Sequence, residues 1–117
     1  MTMPEFKQLV DWAKQEVKEI TPAELNALRA KGEDVAVVDV REREDSNKAM
    51  IPGAVAIPRG TLELNIDQLT TDKDKKIVLY CGGGSRSALA AWMLQKMGFR
   101  NVLSLAGGFK GWKSSGE

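Results

Sequence analysis

One cysteine, Cys81, opens a short loop whose residue types suit nucleophilic chemistry. The residues that follow it are small apart from one cation: Gly82, Gly83, Gly84, Ser85, Arg86 and Ser87. The apolar run before the loop predicts a buried strand that ends at Tyr80, and the sequence after it predicts a helix. Glycines let backbone N–H groups turn inward, and the first N–H groups of a helix lack intrahelical partners. We therefore expect a cup of N–H donors that lowers the pKa of the Cys81 thiol and binds an anion.

The same loop has plainer interpretations. A lone cysteine after a strand is often a small buried hydrophobe, and three glycines also fit a flexible connection. A dinucleotide-binding fingerprint is excluded because Ser87 occupies its third glycine position, and the phosphate-binding motif GxxxxGK[ST] does not occur. The combination of a thiol, glycines and an arginine between a strand and a helix favours the catalytic interpretation.

The residue counts exclude several kinds of site. The chain of 117 residues contains one cysteine and no histidine. It therefore forms no internal disulfide and cannot assemble a zinc site, so we expect neither a metal nor a cofactor. Nucleophiles activated by a neighbouring histidine are excluded for the same reason. Any chemistry at Cys81 must proceed without an imidazole base.

Charge and hydropathy limit the partners and the location. The net charge of +1 gives no reason to expect a nucleic acid or an anionic membrane as a partner. No apolar run approaches the length of about 18 residues that a membrane span requires. Because the first residues carry charges and show no hydrophobic signal core, we expect a cytoplasmic protein, or a periplasmic one if a leader has been removed.

Predicted strands and helices alternate along the chain. Short apolar runs at 35–40, 76–80 and 101–105, and a briefer one within 51–58, predict strands. This alternation indicates an α/β fold in which helices cover both faces of a parallel sheet. Ligands of such sheets bind beyond the C-terminal ends of the strands, which is where Cys81 is expected to lie.

Three predicted helices carry local signals. An amphipathic helix near the N-terminus has five apolar residues on one face: Phe6, Leu9, Val10, Ala13 and Val17. Thr21 and Glu24 are spaced as a capping box for a second helix. The helix after the cysteine loop has four large apolar residues on one face: Leu89, Trp92, Met93 and Met97.

Five segments in this order resemble the single-domain rhodanese sulfurtransferases. They are "VVDVRE" (37–42), "IPGAVAIPRG" (51–60), "VLYCGGGSRSALAA" (78–91), "GFRNVLSLAGGF" (98–109) and Trp112. The resemblance runs from about Ile20 to Trp112, so we predict an N-terminal helical extension, residues 1–19, and a rhodanese-like domain, residues 20–117. The cysteine, glycine and Arg-Ser pair of the family correspond to Cys81, Gly84, Arg86 and Ser87.

The resemblance implies a five-stranded, mainly parallel sheet and a sulfurtransferase whose cysteine carries a persulfide. The sulfur donor would be thiosulfate or a similar compound, and the acceptor would be cyanide or a thiol. Arg86 would either attract the anionic donor or brace the loop through a carboxylate, for which Asp39 is a candidate. Asp39 and Arg41 also fit a structural ion pair behind the site, and Arg59 is a candidate for the rim of the pocket.

Two departures and two alternatives accompany this prediction. Family members often carry histidine at the positions of Met50 and Ala56, so the shape of the pocket rim is expected to differ. A cysteine phosphatase or arsenate reductase-like activity is a weaker alternative, since such loops have five residues between cysteine and arginine. Here only residues 82–85 intervene, which makes a tighter cup. A second alternative is a non-catalytic binding module or a sulfur relay.

Overall fold

A single five-stranded sheet forms the centre of the molecule in a computed structural model, which describes residues 4–116. The strands are β1 (Lys18–Ile20), β2 (Val35–Asp39), β3 (Val55–Ala56), β4 (Lys76–Tyr80) and β5 (Val102–Leu105). Their order across the sheet is β1-β5-β4-β2-β3, and every neighbouring pair is parallel. The predicted α/β fold with a five-stranded parallel sheet is thereby confirmed.

Six helices and one 3₁₀ turn accompany the strands within residues 4–116. The helices are α1 (Phe6–Glu16), α2 (Pro22–Ala30), α3 (Arg43–Lys48), α4 (Leu62–Leu69), α5 (Ser85–Lys96) and α6 (Gly108–Ser114), and the turn is Arg59–Thr61. None of the helices within residues 4–116 is long and apolar enough to cross a membrane.

Side chains alternate between the two faces of the sheet and build two cores. On β4, Ile77 and Leu79 face one core, whereas Val78 and Tyr80 face the other. The first core also takes residues of α4 and α5, and the second takes residues of α2 and α6. Because helices cover both faces, the inner strands are apolar runs, as is typical of parallel sheets.

The N-terminal helix α1 packs against α5. Its apolar face is buried at Val10 and Ala13, and Val17, just after the helix, is buried as well. The side chain of Gln95 donates a hydrogen bond of 3.2 Å to the carbonyl of Glu16, which ties the end of α1 to α5. Phe6 differs from the rest of this face, because 56% of it is exposed.

The capping box predicted for α2 is present. The backbone N–H of Glu24 donates to Oγ1 of Thr21 at 3.1 Å, and the backbone N–H of Thr21 donates to Oε1 of Glu24 at 2.9 Å. The two hydrogen bonds satisfy N–H groups that the first turn would otherwise leave unpaired.

The buried residues of α5 are not the four large apolar residues that the spacing groups on one face. The buried residues are small, apart from one leucine: Ser87, Ala88, Ala90, Ala91 and Leu94. Trp92 and Met93 are half-buried, and Met97 is 38% exposed. The helix lies between the sheet and α1, where small side chains allow close approach.

A buried polar cluster fastens β2 to β4 on the face that α2 and α6 cover. Nη2 of Arg41 lies 2.8 Å from Oδ2 of Asp39, and the Tyr80 hydroxyl donates to the same oxygen at 3.0 Å. The Tyr80 oxygen in turn accepts a hydrogen bond of 3.1 Å from the backbone N–H of Ile51. Burial raises the pKa of Asp39, but the hydrogen bonds from Arg41 and Tyr80 outweigh it and lower that pKa.

The division into residues 1–19 and 20–117 stays a prediction. Residues 1–3 and 117 of those ranges lie outside the described part of the chain.

We expect Asp39→Ala to lower the free energy of unfolding by about 3 kcal/mol, because the buried Arg41 guanidinium would lose its counter-ion. Asp74→Ala is the matched control, since it removes an exposed pair in which Nε of Arg100 lies 2.6 Å from Oδ1 of Asp74. That change should cost at most about 1 kcal/mol. Urea denaturation at neutral pH measures both values, and equal losses in the two variants would contradict the structural role of Asp39.

The same measurement has an expected pH dependence. A carboxyl with a lowered pKa stabilises the fold fully above its ordinary pKa, and this contribution is lost as the pH falls through the folded-state value. The difference between Asp39→Ala and the unmodified protein should therefore shrink in acid.

Candidate active site

Cys81 lies directly after β4, at the C-terminal edge of the sheet, and its sulfur accepts backbone hydrogen bonds from the loop that follows. The N–H of Gly84 donates to Sγ at 3.1 Å, and the N–H of Ser87 donates to it at 3.4 Å. Gly84 has a φ of 104°, a left-handed conformation that glycine adopts without strain. The conformation of the loop thus turns N–H groups towards the sulfur.

The loop activates a thiol that burial alone would suppress. Cys81 is 2% exposed. Burial raises the pKa of its thiol, but hydrogen bonds from the Ser87 hydroxyl and from the backbone N–H groups of Ser87, Gly84 and Gly83 outweigh it. The pKa of Cys81 is therefore lowered below that of an ordinary cysteine, which increases the thiolate fraction at neutral pH.

Two buried serines form a chain of side-chain contacts that ends at the Cys81 sulfur. Oγ of Ser87 lies 3.5 Å from Sγ of Cys81 and 2.8 Å from Oγ of Ser104 on β5. Ser87 and Ser104 are fully buried. The Ser104 side chain makes no further hydrogen bond within residues 4–116. When Cys81 is a thiolate, both serine hydroxyl protons have an acceptor only if the Ser104 hydroxyl donates to Oγ of Ser87 and the Ser87 hydroxyl donates to Sγ.

The start of α6 holds the carbonyl side of the loop. The N–H of Phe109 donates to the Cys81 carbonyl at 2.8 Å, and the N–H of Lys110 donates to the Gly82 carbonyl at 3.1 Å. A Cβ on Gly108, which has a φ of 58°, would lie 2.5 Å from the Cys81 carbonyl oxygen. Only glycine allows this approach, so α6 and the cysteine loop are fitted to each other.

An open cavity of about 460 Å³ gives access to the cysteine. Its lining comprises Phe6, Cys81, Gly82, Gly83, Ser85, Arg86 and Lys110. Two side chains are cationic and none is a carboxylate, which suits an anionic ligand.

Three further candidate residues, Arg86, Asp39 and Arg59, lie in different places, and only Arg86 lines this cavity. Arg86 lines it and makes a loose contact with Glu42, since Nη1 and Oε1 are 3.6 Å apart. Asp39 pairs with Arg41 instead of Arg86, within the second core. Arg59 pairs with Glu63 at 2.7 Å and does not line the Cys81 cavity.

The two positions at which family members often carry histidine lie away from the Cys81 cavity. Met50 is 38% exposed and does not line the Cys81 cavity. Ala56 lines a different cavity, between β3 and α4. Within residues 4–116 no group of three or more Cys, Asp and Glu side chains could hold a metal ion.

Sequence reasoning missed Ser104 and the part that α6 plays. Ser104 had a detectable signal, because it is the one hydroxyl residue in the apolar strand "VLSL". The backbone that follows Gly107 and Gly108 holds the cysteine loop, and this pair of glycines is the sequence signal that could have indicated the close contact.

A sequence profile described as "Rhodanese-like domain" matches residues 21–115, which leaves α1 and β1 outside the match. A sulfurtransferase of Allochromatium vinosum is 34% identical over 100 residues, covering 86% of this chain and 92% of the relative. A putative sulfurtransferase of Bacillus subtilis is 37% identical over 98 residues, covering 84% of this chain and 92% of the relative.

A solved structure from Rhodopseudomonas palustris includes the region of α1. That protein is described as one of unknown function and as a possible tyrosine phosphatase. It superimposes with a TM-score of 0.85 and 38% sequence identity, and the match covers 99% of this chain and 94% of the other.

We expect the pH profile of thiol alkylation to report the serine pair. In the unmodified protein the midpoint should lie below the free-cysteine value of about 8.5. Ser104→Ala removes the hydroxyl that orients Ser87 and should raise the midpoint by roughly half a unit to one unit. Ser104→Thr keeps the hydroxyl and is the matched control, with thermal unfolding to verify that both variants fold. An unchanged midpoint in Ser104→Ala would refute this role.

Proposed function

The chain belongs to the rhodanese-like domain family, and we propose that it transfers sulfane sulfur through a persulfide on Cys81. The observation that carries the proposal is the Cys81 sulfur, which accepts N–H hydrogen bonds from Gly84 and Ser87 at the floor of a cationic cavity. The two sulfurtransferases that are similar to this chain support transfer of sulfur in general. Thiosulfate as donor, and cyanide or a thiol as acceptor, are the finer parts of the proposal.

The first half-reaction needs no proton transfer. The Cys81 thiolate attacks the outer sulfur of thiosulfate, and a bond forms between Sγ and that sulfur. The original S–S bond breaks, and its electron pair leaves with sulfite. The protein then carries the negative charge on the terminal sulfur of the persulfide, which suits a chain without histidine.

The second half-reaction regenerates the thiolate. Cyanide or an acceptor thiolate attacks the terminal sulfur, the persulfide bond breaks, and its electron pair returns to Sγ. The products are thiocyanate or an acceptor persulfide. Inward N–H groups of the loop stabilise the anionic sulfur in both directions, because such donors favour a negative charge that water cannot reach.

The loose contact of Arg86 supports a role in attracting the donor. A distance of 3.6 Å to Glu42, with both side chains substantially exposed, makes a weak ion pair. The guanidinium therefore remains available to an anion that enters the cavity. Bracing of the loop by Asp39 is disfavoured, because Arg41 already occupies that carboxylate.

A cysteine phosphatase is the second candidate, because the structural neighbour from R. palustris is described as a possible tyrosine phosphatase. The loop argues against it. Only residues 82–85 separate Cys81 from Arg86, and a shorter loop encloses a smaller anion than a tetrahedral phosphate. A sulfur relay shares the first half-reaction and differs only in a protein acceptor.

Incubation with thiosulfate should add the mass of one sulfur atom to the intact protein, and cyanide should remove it. Cys81→Ser should show no added mass and should lose thiosulfate:cyanide transfer, since it removes the single thiol. Thermal unfolding of the variant verifies that it folds. Persulfidation without turnover to cyanide would favour the relay. Hydrolysis of aryl phosphates that depends on Cys81 and matches the rate of sulfur transfer would favour the phosphatase.

Arg86→Ala should raise the KM for thiosulfate by roughly three- to ten-fold, because the cavity would lose one of its two cations. Arg86→Lys should keep part of the affinity, since a point charge survives. Arg100→Ala, on an exposed arginine outside the cavity, is the control. Steady-state kinetics at two salt concentrations measure the effect, and added salt should weaken thiosulfate binding less in Arg86→Ala. Equal damage by Ala and Lys would indicate a structural brace instead.

A further inference from the structure

The aromatic ring of Phe109 lies against the buried ion pair of the second core. Cζ of Arg41 is 4.2 Å from the centre of the Phe109 ring, and the Tyr80 ring stacks with that ring at a centroid distance of 6.1 Å. A guanidinium over an aromatic face at this distance makes a cation–π contact. Because Asp39 accepts hydrogen bonds from Nε and Nη2 of Arg41 at 3.0 and 2.8 Å, the cation beside the ring has a fixed position.

The backbone of the same phenylalanine contacts the cysteine loop. The N–H of Phe109 donates to the Cys81 carbonyl at 2.8 Å, and the N–H of Lys110 donates to the Gly82 carbonyl at 3.1 Å. Gly82 and Gly83 have no side chains to restrict their peptide planes, and a Cβ on either would meet no atom of residues 4–116 within 4 Å. The two hydrogen bonds therefore set the directions of the first two carbonyls of the loop.

The direction of a loop carbonyl determines the direction of the next N–H. A trans peptide unit is planar, so its C=O and its N–H point to opposite sides. The hydrogen bond from Lys110 to the Gly82 carbonyl thus turns the N–H of Gly83 away from α6. Burial raises the pKa of the Cys81 thiol, and the Ser87 hydroxyl, together with backbone N–H groups that include that of Gly83, lowers it by more.

We propose that Phe109 is a positioning residue for Cys81: the Arg41 guanidinium fixes its ring, and its backbone in turn fixes the carbonyls of the cysteine loop. The ion pair in the second core thereby acts on a sulfur in the first core, through the start of α6. Phe109 does not line the Cys81 cavity, so its side chain acts only through the loop. Leucine would also be apolar at this position, but it offers no aromatic face to the guanidinium.

The pH profile of Cys81 alkylation by iodoacetamide measures the effect. Phe109→Leu keeps the backbone N–H but loses the contact between the ring and Arg41. The loop carbonyls are then held less firmly, and the N–H groups point less directly at Sγ. We expect the midpoint to rise by about half a unit, which is about a three-fold change in the ionisation constant of the thiol. Phe109→Tyr keeps the ring and should keep the midpoint of the unmodified protein.

The charges at the cavity do not change in these variants. Arg86 and Lys110 line the cavity, and Glu42 lies beside Arg86. Because all three side chains are retained, a shifted midpoint reports the geometry of the loop.

Phe99→Leu is the matched control. The Phe99 ring is buried, and Nζ of Lys73 lies 4.0 Å from its centre, so this substitution also removes a ring and a cation–π contact. Phe99 follows the far end of α5, whose 12 residues extend over about 18 Å from the cysteine loop. Thermal unfolding should show that Phe99→Leu destabilises the fold at least as much as Phe109→Leu, whereas its alkylation midpoint should stay unchanged.

Arg41→Lys tests the same path from its other end. Lysine keeps a positive charge beside Asp39 but lacks the planar group that lies over the Phe109 ring. Its midpoint should rise as in Phe109→Leu, and the double variant should rise no further, because both changes remove one shared contact. If Phe109→Leu does not fold, the midpoint of Arg41→Lys decides the question alone.

This inference does not rest on the proposed function, because alkylation needs no sulfur donor. An unchanged midpoint in Phe109→Leu or in Arg41→Lys, or an equal rise in Phe99→Leu, would refute the positioning role. A rise in both variants with an unchanged control would uphold it, even if thiosulfate left the unmodified protein without a persulfide and sulfur transfer were thereby refuted.

Discussion

The hydrogen bonds from backbone N–H groups to the Cys81 sulfur are the constraint on which the rest of the site depends. Cys81 is 2% exposed, and this burial raises the pKa of its thiol, whereas the Ser87 hydroxyl and these N–H groups lower it by more. To aim the N–H groups of Gly84 and Ser87 at one atom, the chain must pass through a left-handed residue directly before α5. The cost of ordering three glycines is thus part of the cost of activating the thiol.

Because side chains alternate along a strand, two polar clusters, one around Tyr80 and one around Cys81, lie on opposite faces of the sheet. Tyr80 and Cys81 are adjacent in sequence and belong to different cores. Tyr80 joins the cluster of Asp39 and Arg41, which locks β2 to β4 through buried charge. Cys81 joins Ser87 and Ser104, which are neutral and therefore add donors without a competing charge. A carboxylate placed on the cysteine face would raise the pKa of the thiol, so confinement of the ion pair to the other face protects the thiolate.

Patterns that depend on local chemistry could be predicted from the sequence, and features that depend on what packs nearby could not. The capping box at Thr21 and the strand–loop–helix around Cys81 follow from adjacent residues, and both are present. The large apolar residues of α5 share a face by spacing, but spacing does not show that the helix buries mainly small residues, because that follows from its position between the sheet and α1. Ser104 could not be assigned a role, since its partner Ser87 lies 17 residues away on another element.

The same limitation applies to α1, where periodicity groups residues that have different roles. Phe6 shares a helix face with Val10, Ala13 and Val17, and hydrophobic spacing treats all of them as core. Burial separates them, because the last three contact the domain whereas Phe6 extends past it to the mouth of the cavity. Because the apolar face of α1 extends beyond the surface that it packs against, the Phe6 side chain is exposed to water, and the hydrophobic effect disfavours this exposure. The same helix that buries Val10 and Ala13 thus also places Phe6 among the residues that line the cavity at Cys81, so α1 contributes to that cavity as well as to the core.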